Sequence, residues 1–252
     1  MTNKPVPPRK TRTARSTAPP RAKKVSFKQG VDPKALVRAA LEKAKAKAAA
    51  SPYHHGDLRG ALLMAAEKLL ERDGLPGLTL RAVAREAGVS HAAPMHHFGD
   101  LSGLVSELAA IGFRNFNATM AAAGSTGATP VDSALARARA YLSYARTRPG
   151  MYRLMFRTDW LDMTRPALRE AANASFTALA TVSGAQHAGN VATDALTMDQ
   201  AAQIARNWSL VHGFTMLMLD GRLNDILRRL PEGTDAERLF VEMLKITVAK
   251  PA

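Results

Sequence analysis

The chain has 252 residues, with 35 Lys and Arg against 21 Asp and Glu, and no cysteine. The missing thiols exclude disulfides, thiolate nucleophiles and thiolate metal sites, and they fit a reducing cytoplasm, where the protein is expected. Charge is unevenly placed: residues 1–52 hold 14 basic and two acidic side chains, a net +12, while the rest hold 21 and 19, a net +2.

Residues 1–30 are rich in Pro, Arg, Lys, Ser and Thr and have few apolar side chains to bury, which predicts a largely disordered arm. Residues 33–50 change to Ala, Lys and Leu behind Asp32 and Pro33, a cap with proline at the first helical position, and read as a basic helix. An arm over residues 1–52 with this charge suits a polyanion, because each neutralised phosphate releases condensed counterions. The same composition suits a solubilising tail or an organelle transit peptide.

From residue 53 the pattern is continuously helical. Asp57 caps a helix with the stripe Leu58, Leu62, Ala65, Ala66, Leu69 and Leu70, ending at Gly74. In the next segment Leu80, Val83, Ala84 and Ala87 recur at i, i+3, i+4 and i+7, giving one apolar face. Gly88 supplies the left-handed backbone for a tight turn, and Ser90 is a suitable N-cap for a following helix whose first exposed residues are His91, Ala92 and Ala93. Two short helices joined in this way form a helix-turn-helix unit, which lays its second helix in a DNA major groove; ordinary core packing is the competing reading. Pro94 removes a helical N–H, so the second helix is expected to be short.

Asp100 caps a longer helix running to about residue 123, with Leu101, Leu104, Val105, Leu108, Ile111 and Phe113 inward. The run from Gly124 to Pro130 is the clearest internal boundary. Further helices are expected at about 133–147, 151–157, 166–182, 199–220 and 235–248, with a long polar loop over residues 184–197. Thr234 and Glu237 have the spacing of a capping box for the last of them. No segment alternates like a strand, so the fold class is all-α. No signal-peptide pattern opens the chain, and the most apolar run, residues 208–219, is too short for a bilayer, which needs roughly 18 apolar residues. No membrane association is expected.

Residues 53–116 resemble the DNA-binding domain of the TetR family of bacterial transcriptional regulators. The resemblance rests on the helix ending at Gly74, Thr79-Leu80-Arg81, Ala87-Gly88-Val89-Ser90 at the turn, and His97-Phe98. Tyr53-His-His-Gly-Asp-Leu58 and Trp208-x-x-x-His212-Gly213 are similar to a subgroup with a Trp/His/Gly-bearing C-terminal domain. The resemblance implies a domain at 53–116 that binds double-stranded DNA and a helical effector-binding and dimerisation domain at 117–250. It implies DNA contacts by Thr79, Arg81, Ser90, His91, Ala92, Ala93, His96 and His97. Met95 and Leu101 stand where many members carry a tyrosine and a lysine that hold DNA, so the basic arm is expected to supply backbone contacts instead.

The family further implies a homodimer on a palindromic operator, formed through the helices at 199–220 and 235–248, and a repressor released by a small-molecule effector. Met155, Phe156, Trp208, His212 and Met216 are the candidate effector contacts, although Met and aromatic residues at helical spacing also serve as plain core. The adjacent pairs His54-His55 and His96-His97 lack an i, i+4 partner for metal binding. No phosphate-cradling glycine loop or nucleophile motif occurs, so no enzyme activity, metal or cofactor is expected. The rival function is a weakly specific DNA-coating protein that binds mainly through its arm.

Overall fold

A computed structural model describes residues 57–184 and 195–248. The basic arm, its expected helix at 33–50 and the segment from Tyr53 to Gly56 lie outside the described residues, as does most of the 184–197 loop. All regular structure among the described residues is helical: α1 Leu58–Gly77, α2 Leu80–Ala87, α3 Ala93–Phe98, α4 Leu101–Gly124, α5 Pro130–Thr147, α6 Pro149–Met155, α7 Pro166–Gly184, α8 Met198–Leu219, α9 Asn224–Leu227 and α10 Ala236–Val248. None is long and apolar enough to cross a membrane.

Several ends follow from single residues. Asp57 Oδ1 accepts from Gly60 N at 2.8 Å, and Asp100 Oδ1 from Gly103 N at 2.6 Å, so both expected caps form. Each satisfies an amide that the first helical turn leaves without a partner. The regular part of α1 stops at Gly74, with φ 70°, before one more turn through Pro76. Helices α5 and α6 start two or three residues earlier than periodicity suggests. Pro130 and Pro149 stand in their first turns, where proline's fixed φ favours helix and its absent N–H loses nothing. The expected capping box at Thr234 does not form: Asp235 Oδ1 takes the Arg238 amide at 2.9 Å, one residue later. A reciprocal box occurs instead at Thr197 and Gln200. The short α9 was not expected; Gly221, with φ 69°, turns the chain into it.

One core runs from the first four helices into the following ones. Leu62, Ala66, Leu69, Leu70, Val83 and Phe98 pack with Leu104, Leu108, Tyr152, Leu154 and Leu168, all fully or nearly fully buried. Burying each of the larger aliphatic side chains contributes about 1.5–3 kcal/mol. A smaller core holds Leu142, Phe214, Leu223 and Phe240, with the two phenyl rings 4.8 Å apart. Helix α4 passes unbroken through residues 116 and 117.

Helices α1 and α6 meet through charge as well as apolar contact. The Glu71 carboxylate accepts from Gly150 N at 3.0 Å and Met151 N at 2.9 Å, and Arg148 pairs with Glu67 at 2.5 Å. A Cβ at residue 150 would press on the Leu70 carbonyl, at 2.6 Å, so this approach requires glycine.

Candidate nucleic-acid interface and ligand-side cluster

The exposed face of α2 and α3 is built on a buried one. Val83 and Ala84 are fully covered, and Leu80, Ala87 and Val89 are half-buried against the same core. Gly88 takes φ 68°, and Val89 N reaches back to the Ala84 carbonyl at 3.0 Å, which closes α2 and turns the chain. Thr79 Oγ1 accepts from Ala82 N at 3.1 Å, which fixes the hydroxyl at the α2 N-terminus.

Arg81 is exposed, and so is Arg85 one turn later on the same face, a residue the sequence reading passed over although the i, i+4 spacing was visible. Neither forms an ion pair with a described residue. The one acid of α2, Glu86, lies on the other side, paired with Lys68 and, at 3.3 Å, with Arg72. The Lys68 ammonium holds the Glu86 carboxyl below its usual range.

Ser90, His91 and Ala92 are exposed as expected, and Ala93 is not: it is half-buried and packs on the core. Ser90 also does not cap the α-helix directly. Its Oγ accepts from Ala92 N at 3.2 Å and its carbonyl from Ala93 N at 3.0 Å, forming a turn, and the regular helix begins only at Ala93. Pro94 is buried in the first turn of α3, which spans six residues. Met95 is 62% exposed and His96 is exposed, so Ala92, Met95 and His96 share the outer face at i, i+3 and i+4. His97 is half-buried, with its ring 6.2 Å from that of Phe98. The outer surface of α2 and α3 is therefore a strip of arginine, histidine, hydroxyl and methyl groups. Such a strip can meet phosphates at its edges and base edges or thymine methyls at its centre.

The candidate effector residues separate into two sets. Phe156 lies 4.5 Å from His212 and 6.5 Å from Trp208 between ring centroids, and Trp208 lies 6.2 Å from His212. Met155 is buried and turned toward Tyr144 and Gly112, in the core behind α4. Met216 is partly buried on that core. Sequence reasoning missed Tyr141 and Tyr152. The Tyr152 hydroxyl lies 2.8 Å from His212 Nδ1 and 3.0 Å from the Tyr141 hydroxyl, which is itself 3.2 Å from Nδ1. Three polar atoms meet here with two hydroxyl protons between them. Burial pushes the His212 imidazole below its ordinary range and raises both phenols, that of Tyr141 up to about 12, so all three groups stay neutral near pH 7. An open cleft of about 460 Å³ lies elsewhere, between α4 and α5, lined by residues including Asn115, Thr119, Ser143 and Arg148. No candidate effector residue lines it. Among the described residues no group of three His, Asp or Glu side chains is placed to hold a metal ion.

Residues 62–108 match the family model described as bacterial regulatory proteins of the tetR family, and residues 134–246 match that of the tetracyclin repressor-like C-terminal domain. No curated protein sequence matches. Among solved structures, a protein of unknown function from Rhodococcus sp. RHA1 is 32% identical, over 78% of this chain and 96% of its own, with a TM-score of 0.62. The TetR family transcriptional regulator PfmR from Thermus thermophilus shares the fold at 17% identity, over 73% and 95% of the two chains, with a TM-score of 0.51.

Proposed function

The chain belongs to the TetR family of DNA-binding transcriptional regulators, and from that premise we propose that it is a repressor released from a palindromic operator by a small-molecule effector. The observation that carries the reading is the outward strip of Thr79, Arg81, Ser90, His91 and Ala92 on a base held rigid by Val83 and Phe98. His96 and His97 flank it and are assigned to the phosphates. Ala93, half-buried, serves as the floor of the strip and contacts DNA least. The DNA-binding domain is assigned to residues 53–116 and the effector and dimerisation domain to 117–250.

The dimer is assigned to α8 and α10. On α8 the small residues Ala202, Ala205, Ser209 and Gly213 follow one another at three- and four-residue spacing, with Leu217 next at 47% exposure, and a Cβ on Gly213 would meet open space. Such a stripe lets a second copy approach closely. Two-fold symmetry then sets the two α3 helices about 34–36 Å apart, one turn of DNA. The effector is assigned to Phe156, Trp208 and His212, with Met155 and Met216 supporting them from the core. The action is placed in the cytoplasm, where no disulfide is needed. The arm, carrying +12 of the net +14, is assigned to the DNA backbone.

That concentration of charge is also what favours the second reading, a DNA-coating protein of low specificity. Enrichment from a random duplex pool, followed by competition binding, separates the two. The repressor reading expects a preferred sequence bound at least ~10³ more tightly than random duplex, and a ratio near one overturns it.

A further inference from the structure

Helix α3 is short, and part of its grip comes from outside the helix-turn-helix unit. Its last carbonyls have no partner within the helix. The Phe98 carbonyl accepts a hydrogen bond from Arg165 Nη2 at 3.2 Å. Arg165 belongs to the segment 157–165 that joins α6 to α7. Its Nη1 lies 3.9 Å from Glu107 Oε1, and its buried Nε lies 3.5 Å from Asp162 Oδ2 without hydrogen-bond geometry. The second Glu107 oxygen takes Arg59 of α1 at 2.7 Å, and the Arg59 guanidinium sits 5.4 Å above the Phe98 ring. One residue, Phe98, is thus held by its ring from α1 and by its carbonyl from the 157–165 segment, with the Glu107 carboxylate tying both arginines together. A Cβ at Gly103 would collide with both the Phe98 carbonyl and Arg165, so the glycine keeps the channel for this contact open.

The segment carrying Arg165 is itself fastened to α4. Ser102 Oγ donates to the Trp160 carbonyl at 3.2 Å, and the Asp162 amide donates to the buried Ser106 Oγ at 2.8 Å. It starts directly after Phe156, whose ring packs on His212. The segment therefore runs as a strap from the aromatic cluster to the end of α3.

We propose that Arg165 is a positioning residue for DNA recognition, clamping the C-terminal end of α3 to the strap at residues 157–165. This rests on the DNA-binding role assigned to α3 above. A cation at a helix C-terminus also suits the helix dipole.

The test uses the full-length protein and its R165A and E107Q variants. Hydrogen exchange read by mass spectrometry needs no DNA: R165A accelerates amide exchange over residues 93–100 by about tenfold or more, and E107Q does so to a smaller degree. Unchanged exchange in both variants overturns the clamp. On a duplex selected from a random pool by the wild-type protein, R165A binds about tenfold more weakly. Its affinity for random duplex and its salt slope stay as in the wild type. A slope reduced by about 0.9 instead makes Arg165 a direct phosphate ligand and overturns the positioning role. A wild-type protein that selects no sequence overturns the repressor reading, and with it the recognition role of the clamp, while the exchange result still decides whether the clamp exists.

Discussion

The DNA-facing head and the aromatic cluster solve opposite problems. The head, α2 and α3, turns its polar groups outward: Arg81, Arg85, His91 and His96 are all exposed. The cluster turns its polar groups on one another, with Tyr141, Tyr152 and His212 within 2.8–3.2 Å. A surface meant for a polyanion gains by leaving cations without internal partners. A neutral trio around one buried tyrosine gains only if every proton finds an acceptor. Exposure and satisfaction, not residue type, separate the two regions, since both contain histidines.

The largest effect is expected at Phe98, whose ring packs in the core beneath the head. F98A removes a side chain that is 3% exposed and is expected to cost about 3–5 kcal/mol, seen as a large drop in melting temperature together with loss of duplex binding. If DNA binding survives, the head is not held in the way described. Arg81 sharpens the same contrast without disturbing the fold. R81A should reduce discrimination at one operator position by about 1–3 kcal/mol, measured by titrating single-base operator variants, with the melting temperature unchanged.

Removing residues 1–50 should weaken binding to all sequences alike and flatten the dependence of log K on log salt by about 0.9 per lost phosphate contact; an identical slope leaves the arm without a backbone role. A smaller effect is expected at the apolar centre of the strip. Replacing thymine by uracil at the position that Ala92 contacts removes one methyl, worth about 0.8 kcal/mol, and A92G should abolish the sensitivity.

The cluster offers the gentlest test. The folded-state pKa of His212 is depressed by burial, so folding disfavours its protonation. Its contribution is intact above the unfolded value, about 6.5, and is lost as pH falls through the lower folded value. Melting temperature should decline as pH falls below about 6.5 in the wild type, and less steeply in H212Q. Parallel profiles would remove His212 from the neutral trio.

What the sequence made readable was local. The caps at Asp57 and Asp100, the Gly74 and Gly88 turns and the apolar face of α2 each depend on neighbours within four residues, so spacing alone reveals them. Where two local signals compete, spacing misleads. Thr234 has the capping-box pattern, yet the adjacent Asp235 carboxylate takes the amide. Ser90 lies three residues before the helix rather than directly at its cap, and Ala93, its first residue, packs on the core. Tyr141 and Tyr152 were invisible because their common partner, His212, lies 71 and 60 residues away. Arg165 was invisible for the same reason, its acceptor being a backbone carbonyl 67 residues earlier. No periodicity encodes a meeting between distant helices.

The pairing of Glu86 with Lys68 and Arg72 has a consequence for encounter rather than for affinity. With that carboxylate paired to the first helix, α2 opposes an approaching duplex less, and Arg81 and Arg85 add to the attraction of the basic arm. Substituting both Lys68 and Arg72 would bare a negative charge behind the arginines, and the association rate at low ionic strength would slow before any contact was made.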